Sequence, residues 1–92
     1  IINIDESTLE LQNAIPNPSN EMTNIKFTSN KSESISFQIT NLLGETVYLD
    51  NIISKRGVND IILNTSSFSE GIYIYSISNN TTKSSKRLVV NH

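Results

Sequence analysis

Apolar and polar side chains alternate without a break from Ser34 to Thr40, with Ile35, Phe37 and Ile39 on one side and Ser36, Gln38 and Thr40 on the other. A period of two is the pattern of a strand with one face buried. Shorter runs repeat it. Leu9 and Leu11 alternate with Glu10 and Gln12, predicting a first strand that runs toward Ile15; Ile25 and Phe27 flank Lys26; Val47 and Leu49 resume the alternation, and Ile52-Ile53 continues it. Asn59 to Asn64, Ile72 to Ser78 and Ser84 to Val90 complete the set. Between the runs lie polar or Gly/Pro-containing stretches that break extended structure: Pro16 to Asn20, Asn30 to Glu33, Leu42 to Glu45, Ser54 to Gly57, Thr65 to Gly71 and Asn79 to Thr82. No segment sustains a helical period. About seven short antiparallel strands, with turn signals every ~8–12 residues, predict an all-β immunoglobulin-like sandwich.

Composition agrees. Ala occurs only at Ala14, while Asn, Ser and Thr are plentiful, which suits strands and polar turns. A chain of 92 residues fits one modest core and leaves little for a deep cleft. Net charge is −2 and the basic residues are scattered, so the basic stripe of a nucleic-acid binder is missing. Without cysteine there is no thiolate chemistry and no disulfide, and the fold rests on packing and hydrogen bonds. The chain opens at Ile1 without methionine, so a fragment of a longer precursor is expected, with Ile1 to Thr8 as an acidic linker and residues 9–92 as the domain.

Reactive groups are sparse. His92 is the only histidine and the last residue, where order is usually poor, and it reads as a terminal or tag-derived residue. Asp5, Glu6, Glu45, Asp50, Asp60 and Glu70 are dispersed, and a two-carboxylate hydrolase needs paired acids across a cleft. No D-x-D-x-D calcium loop appears. The expectation is therefore no catalytic residue, no cofactor and no metal. N-x-S/T triplets at Asn30, Asn64, Asn79 and Asn80 read as polar turns. If Tyr73, Tyr75 and Ile77 face the core, Ile72 and Ile74 point outward, either under loops or as an interaction surface.

Four stretches then stand in a recognisable order: Pro16-Asn17-Pro18 after the first strand, Leu42 to Val47 at a hairpin, Gly57 to Tyr73 with its Phe68 and Gly71-Ile72-Tyr73, and the terminal Lys86 to Val90. Together they resemble the C-terminal sorting domain of type IX secretion (Por secretion) cargo of Bacteroidota, over about residues 9 to 90. The resemblance implies a non-catalytic signal domain that routes an upstream passenger through the type IX translocon and its outer-membrane shuttle components. Removal by a sortase-like cysteine protease near the linker is implied too. So is a path through the periplasm to the cell surface or the medium. By position, Pro16, Asn17 and Pro18 would set a rigid corner, Gly44 and Gly71 would permit turn geometry, and Tyr73 would anchor the core. Lys86, Arg87, Leu88, Val89 and Val90 would form the strand tied to recognition. An exposed terminal strand with its adjacent loops is then the expected docking site, main-chain pairing along the exposed edge being one mode. Arg87 makes a basic pair, and Asn91-His92 extends past the usual end of the family.

Two other readings compete. An accessory carbohydrate-binding or adhesive sandwich would use Tyr48, Tyr73 and Tyr75 as aromatic platforms, and a spacer domain would need no specific surface. Either way, edge strands invite pairing with a second copy.

Overall fold

The structure, a computed structural model, describes residues 8–92. Of the expected linker, Ile1 to Asp5 and Glu6-Ser7 lie outside the described residues. Thr8 lies within them and donates its N–H to Asn30 Oδ1 at 3.0 Å. Seven strands follow: β1 (Leu9–Leu11), β2 (Met22–Ser29), β3 (Ser34–Asn41), β4 (Thr46–Ile53), β5 (Gly57–Asn64), β6 (Gly71–Ser78) and β7 (Lys83–Val90). They form a three-stranded sheet in the order β1-β2-β5 and a four-stranded sheet in the order β4-β3-β6-β7, and every pairing is antiparallel. The all-β sandwich predicted from the alternation is the fold observed.

The core forms where the alternating faces meet. Ile25 and Phe27 of β2 face Ile35, Phe37 and Ile39 of β3, Tyr75 and Ile77 of β6, and Leu88 and Val90 of β7, all essentially closed to solvent. Ile72 is exposed and Ile74 half-buried on the opposite face of β6, as the alternation requires.

Two strand boundaries differ from expectation by two residues or more, each for a local reason, and others by a single residue. β1 stops at Leu11 because the buried Tyr75 hydroxyl takes over the next main-chain groups. It donates to Gln12 O and accepts from Ala14 N–H, both at 2.9 Å. Ile15 then rejoins β2 through a bridge to Asn24. β5 begins at Gly57 rather than Asn59. Gly57 holds φ +105°, a conformation that side chains disfavour, and the Asn59 amide closes the preceding turn onto Lys55 N–H and Lys55 O, each at 2.9 Å.

Candidate functional site

The motifs spread along the sequence come together at one end of the four-stranded sheet. Register places them there: Asn41 pairs with Tyr73, Tyr73 with Leu88, and Gly71 with Val90. The Leu42-Leu43-Gly44 turn, the start of β6 and the end of β7 therefore lie side by side. The corner Pro16-Asn17-Pro18, whose two X–Pro bonds are cis, packs along the outer edge of β7.

The corner is held by side chains acting as main chain. The Asn17 amide spans β7 as a paired strand residue would: its Nδ2 donates to Arg87 O (3.1 Å) and its Oδ1 accepts from Val89 N–H (2.9 Å). Ser19 continues the ladder, donating its N–H to Val89 O (2.8 Å) and accepting from Asn91 N–H (2.9 Å). Beneath it, the buried Ser19 and Thr65 hydroxyls share a 2.7 Å hydrogen bond, and Thr65 N–H donates to Glu21 O at 2.7 Å. Thr23 Oγ1 donates to Pro16 O at 2.8 Å. These partnered groups let a proline-rich corner sit against a strand edge, while Asn24 Oδ1 beside it is buried without a hydrogen-bond partner.

This corrects the expectation of an open terminal edge. From Arg87 to Asn91 the outward groups of β7 are occupied, and Leu88 and Val90 are buried in the core. What β7 presents is the exposed Arg87 and the half-buried Val89, on the outer face opposite Ile74 and Ile72. Lys86 is half-buried on the inner side, opposite Tyr75.

The remaining motif residues serve this end. Asn41 builds the hairpin: Oδ1 accepts from Leu43 N–H and Glu45 N–H, and Nδ2 donates to Glu45 Oε1, all at 3.0 Å. Gly44, at φ +86°, completes the reversal, leaving Leu42 and Leu43 exposed, Leu43 at 85%. Gly71 opens β6. Tyr73 is buried, donates its hydroxyl to Ser69 O at 2.5 Å and stacks on Phe68 with ring centroids 5.3 Å apart.

Sequence reasoning gave His92 no place here, yet it closes the site. Nδ1 lies 2.7 Å from Asn20 O and Nε2 2.8 Å from Phe68 O, while its N–H donates to Glu70 Oε1 at 2.9 Å. Carbonyl oxygens only accept, so both contacts are hydrogen bonds only when both ring nitrogens carry protons. The bond to Phe68 O raises the imidazole pKa above its usual value, opposed by desolvation and aided to a lesser degree by Asn20 O and the Glu70 charge. Ser19, Asn20 and Thr65 were also missed as functional positions. Contacts spanning 46 to 72 residues leave no trace in local periodicity.

An aromatic platform is not offered. Tyr73 and Tyr75 are buried, and Tyr48 leans edge-on to Phe37 at 5.9 Å. A hollow of about 300 Å³ on the same sheet's outer face, lined by Ser34, Ser36, Asn51, Ser78 and Asn79 among others, holds no aromatic residue. Among the described residues no group of three His, Cys, Asp or Glu side chains is placed to hold a metal.

A family profile described as the Secretion system C-terminal sorting domain matches residues 13–91. Among solved structures, dimeric latent PorU from Porphyromonas gingivalis superposes with a TM-score of 0.77 at 13% identity, over 98% of this chain and 10% of that one. The chain thus spans about a tenth of the PorU chain, and the likeness is one of fold. No curated protein matches.

Proposed function

Because this chain belongs to the Secretion system C-terminal sorting domain family, we propose that the end at which its motifs converge is the surface the export machinery reads. As a sorting signal the domain marks a secreted protein for passage across the outer membrane. In our reading the route is the type IX system of Bacteroidota, the passenger lies upstream, and a sortase-like cysteine protease cuts in or near Ile1 to Thr8. The translocon and its shuttle components are the partners, and the domain contributes recognition without chemistry of its own.

The observation that carries this reading is the convergence itself. Leu42, Leu43, Ile72, Val89 and Arg87 form an exposed to half-exposed apolar surface with one cation at its rim, at the end where the corner, the hairpin and the terminal strand meet. Contiguous apolar exposure on a small domain marks an interaction site. Because the edge of β7 is occupied by Asn17 and Ser19, docking here proceeds by side chains on the outer face rather than by added main-chain pairing.

The test uses a full-length cargo carrying this domain. Replacing Leu42, Leu43 and Arg87 by Ser, Ser and Glu changes only exposed side chains and leaves the fold intact. The passenger should then accumulate in the periplasm, whereas the same number of changes on β5 (Val58→Ser, Asp60→Asn, Ile62→Ser) should leave export normal. Normal surface display of the first variant overturns the proposal.

A further inference from the structure

We propose that the outer edge of β4 is a self-association surface, on which a second copy of this chain adds its own β4 antiparallel about a two-fold axis through Asn51. This does not rest on the sorting reading.

The edges of the two sheets are unequally protected. β1 has three residues, too few to template a partner. β7 is closed from Arg87 to Asn91 by Asn17 and Ser19 and carries Lys83, Lys86 and Arg87. β5 has buried its inner face and holds the ion-paired Asp60 near its midpoint. β4 has no Lys, Arg, Pro or Gly from Thr46 to Ile53, and every residue but Ile52 is exposed. Among the described residues β4 has no guarding lysine, proline, shortness or cover; its bulge lies at the hairpin end, outside Tyr48 to Ser54, and Asp50 is its one inward charge.

The main-chain geometry selects a register. Ser54 N–H donates to Glu33 O at 2.9 Å, so Ser54 turns its peptide groups toward β3. Orientation alternates along an antiparallel strand, so Ile53, Asn51 and Leu49 turn theirs outward. The hairpin end agrees: Glu45 O accepts from Asn41 N–H, and the extra residue at the bulge opposite Ile39/Thr40 accounts for the change of parity. The regular stretch is therefore Tyr48 to Ser54, and Asn51 is its midpoint.

About that axis β4 is self-complementary. Leu49 falls opposite Ile53 of the other copy, Ile53 opposite Leu49, and Asn51 opposite Asn51, all on the outer face; Leu49 and Ile53 are now 60% and 73% exposed. On the inner face Asp50 meets Ile52, which leaves the two Asp50 carboxylates diagonal rather than directly opposed. The charges at the strand ends match as well. Glu45 precedes β4 and Lys55-Arg56 follow it, so antiparallel pairing sets acid beside base at both ends, whereas parallel pairing would set like beside like. A two-fold contact of this kind closes on itself as a dimer with one sheet running through both copies.

Sedimentation velocity of the chain over a concentration series into the sub-millimolar range should show the mass rising toward twice that of the monomer. Asn51→Lys, which sets two cations across the axis at an exposed position, should abolish the dimer and leave the unfolding transition unchanged. The chain has no cysteine, so Asn51→Cys provides an independent readout. Directly opposed residues of a hydrogen-bonded pair lie about 5.5 Å apart, within disulfide range, so this variant should oxidise to a covalent dimer. Ile62→Cys on β5 should stay monomeric. A wild-type chain that is monomeric throughout overturns the proposal and leaves the edge to a strand of another protein. Dimerisation of Asn51→Lys, or equal cross-linking of Ile62→Cys, overturns it too.

Discussion

Tyr75 and His92 each use one side chain to tie segments that sequence distance would keep apart, in opposite environments. The Tyr75 hydroxyl is buried and saturated, and desolvation raises its pKa against the opposing Ala14 hydrogen bond. Tyr75→Phe keeps the ring in the core but orphans Gln12 O and Ala14 N–H, which should cost about 1–3 kcal/mol in urea unfolding. Tyr73→Phe loses a bond to a loop carbonyl that water can reach, so about 0.5–1.5 kcal/mol is expected. His92 works in solvent, and its pKa is raised by folding. A raised pKa means that its contribution is fully present below the unfolded value of about 6.5 and is lost as pH rises through the folded value. Proton NMR should show a His92 titration above that of the unfolded chain, and exchange at Asn91 and His92 amides that quickens beyond intrinsic rates across the same interval. A titration at or below the unfolded value would refute the two-carbonyl clasp. Neither role was legible in the sequence. Tyr75 reads as one more inward residue of β6, and a terminal histidine reads as frayed, because hydroxyl and imidazole partners are set by tertiary placement and not by spacing.

At the scale of the elements, legibility follows burial. β3 and β6 were readable almost residue by residue because one face is sealed in the core and a slip by one residue would turn every apolar side chain outward. β4 was readable as a strand but not as an open edge, since nothing in Val47 and Leu49 reports which strands flank them. The Pro16-Asn17-Pro18 corner was readable as a chain reversal, whereas its contact with β7 depends on sheet order. Asn17 tests that contact. Asn17→Ala removes both bonds to β7, and Asn17→Asp restores an acceptor for Val89 N–H while setting a carboxylate against Arg87 O. Both should destabilise by about 1–2 kcal/mol, two ordinary hydrogen bonds at a partly wet site, without full rescue by Asp. Amide exchange at Val89 should rise sharply in the Ala variant and Ile77 should stay protected. Unchanged Val89 protection would show that the corner does not guard the edge.

For the molecule as a whole, the terminal strand cannot be separated from the fold it completes. Leu88 and Val90 are sealed in the core, and β7 is the sole partner of β6 on that side. Replacing one buried Leu by Ala costs ~2–5 kcal/mol, while an entire small domain is stable by only about 5–15 kcal/mol. Deleting Leu88–His92 removes two core side chains, the ladder on Gly71 to Tyr73 of β6, the Val89 partner of Asn17 and the main-chain partners of Ser19 together. The truncated chain should therefore show no cooperative thermal transition, and ring-current-shifted methyl signals should collapse. Deleting His92 alone removes only the clasp and should keep the transition. An export defect in the larger truncation would then report loss of the folded domain and not loss of a linear signal. The exposed triple Leu42→Ser, Leu43→Ser, Arg87→Glu separates the two: a cooperative transition retained with export lost places recognition on a folded surface. If the Leu88–His92 truncation instead melts cooperatively near the intact domain, the terminal strand is dispensable for folding, and its burial would no longer bear on how the signal is read.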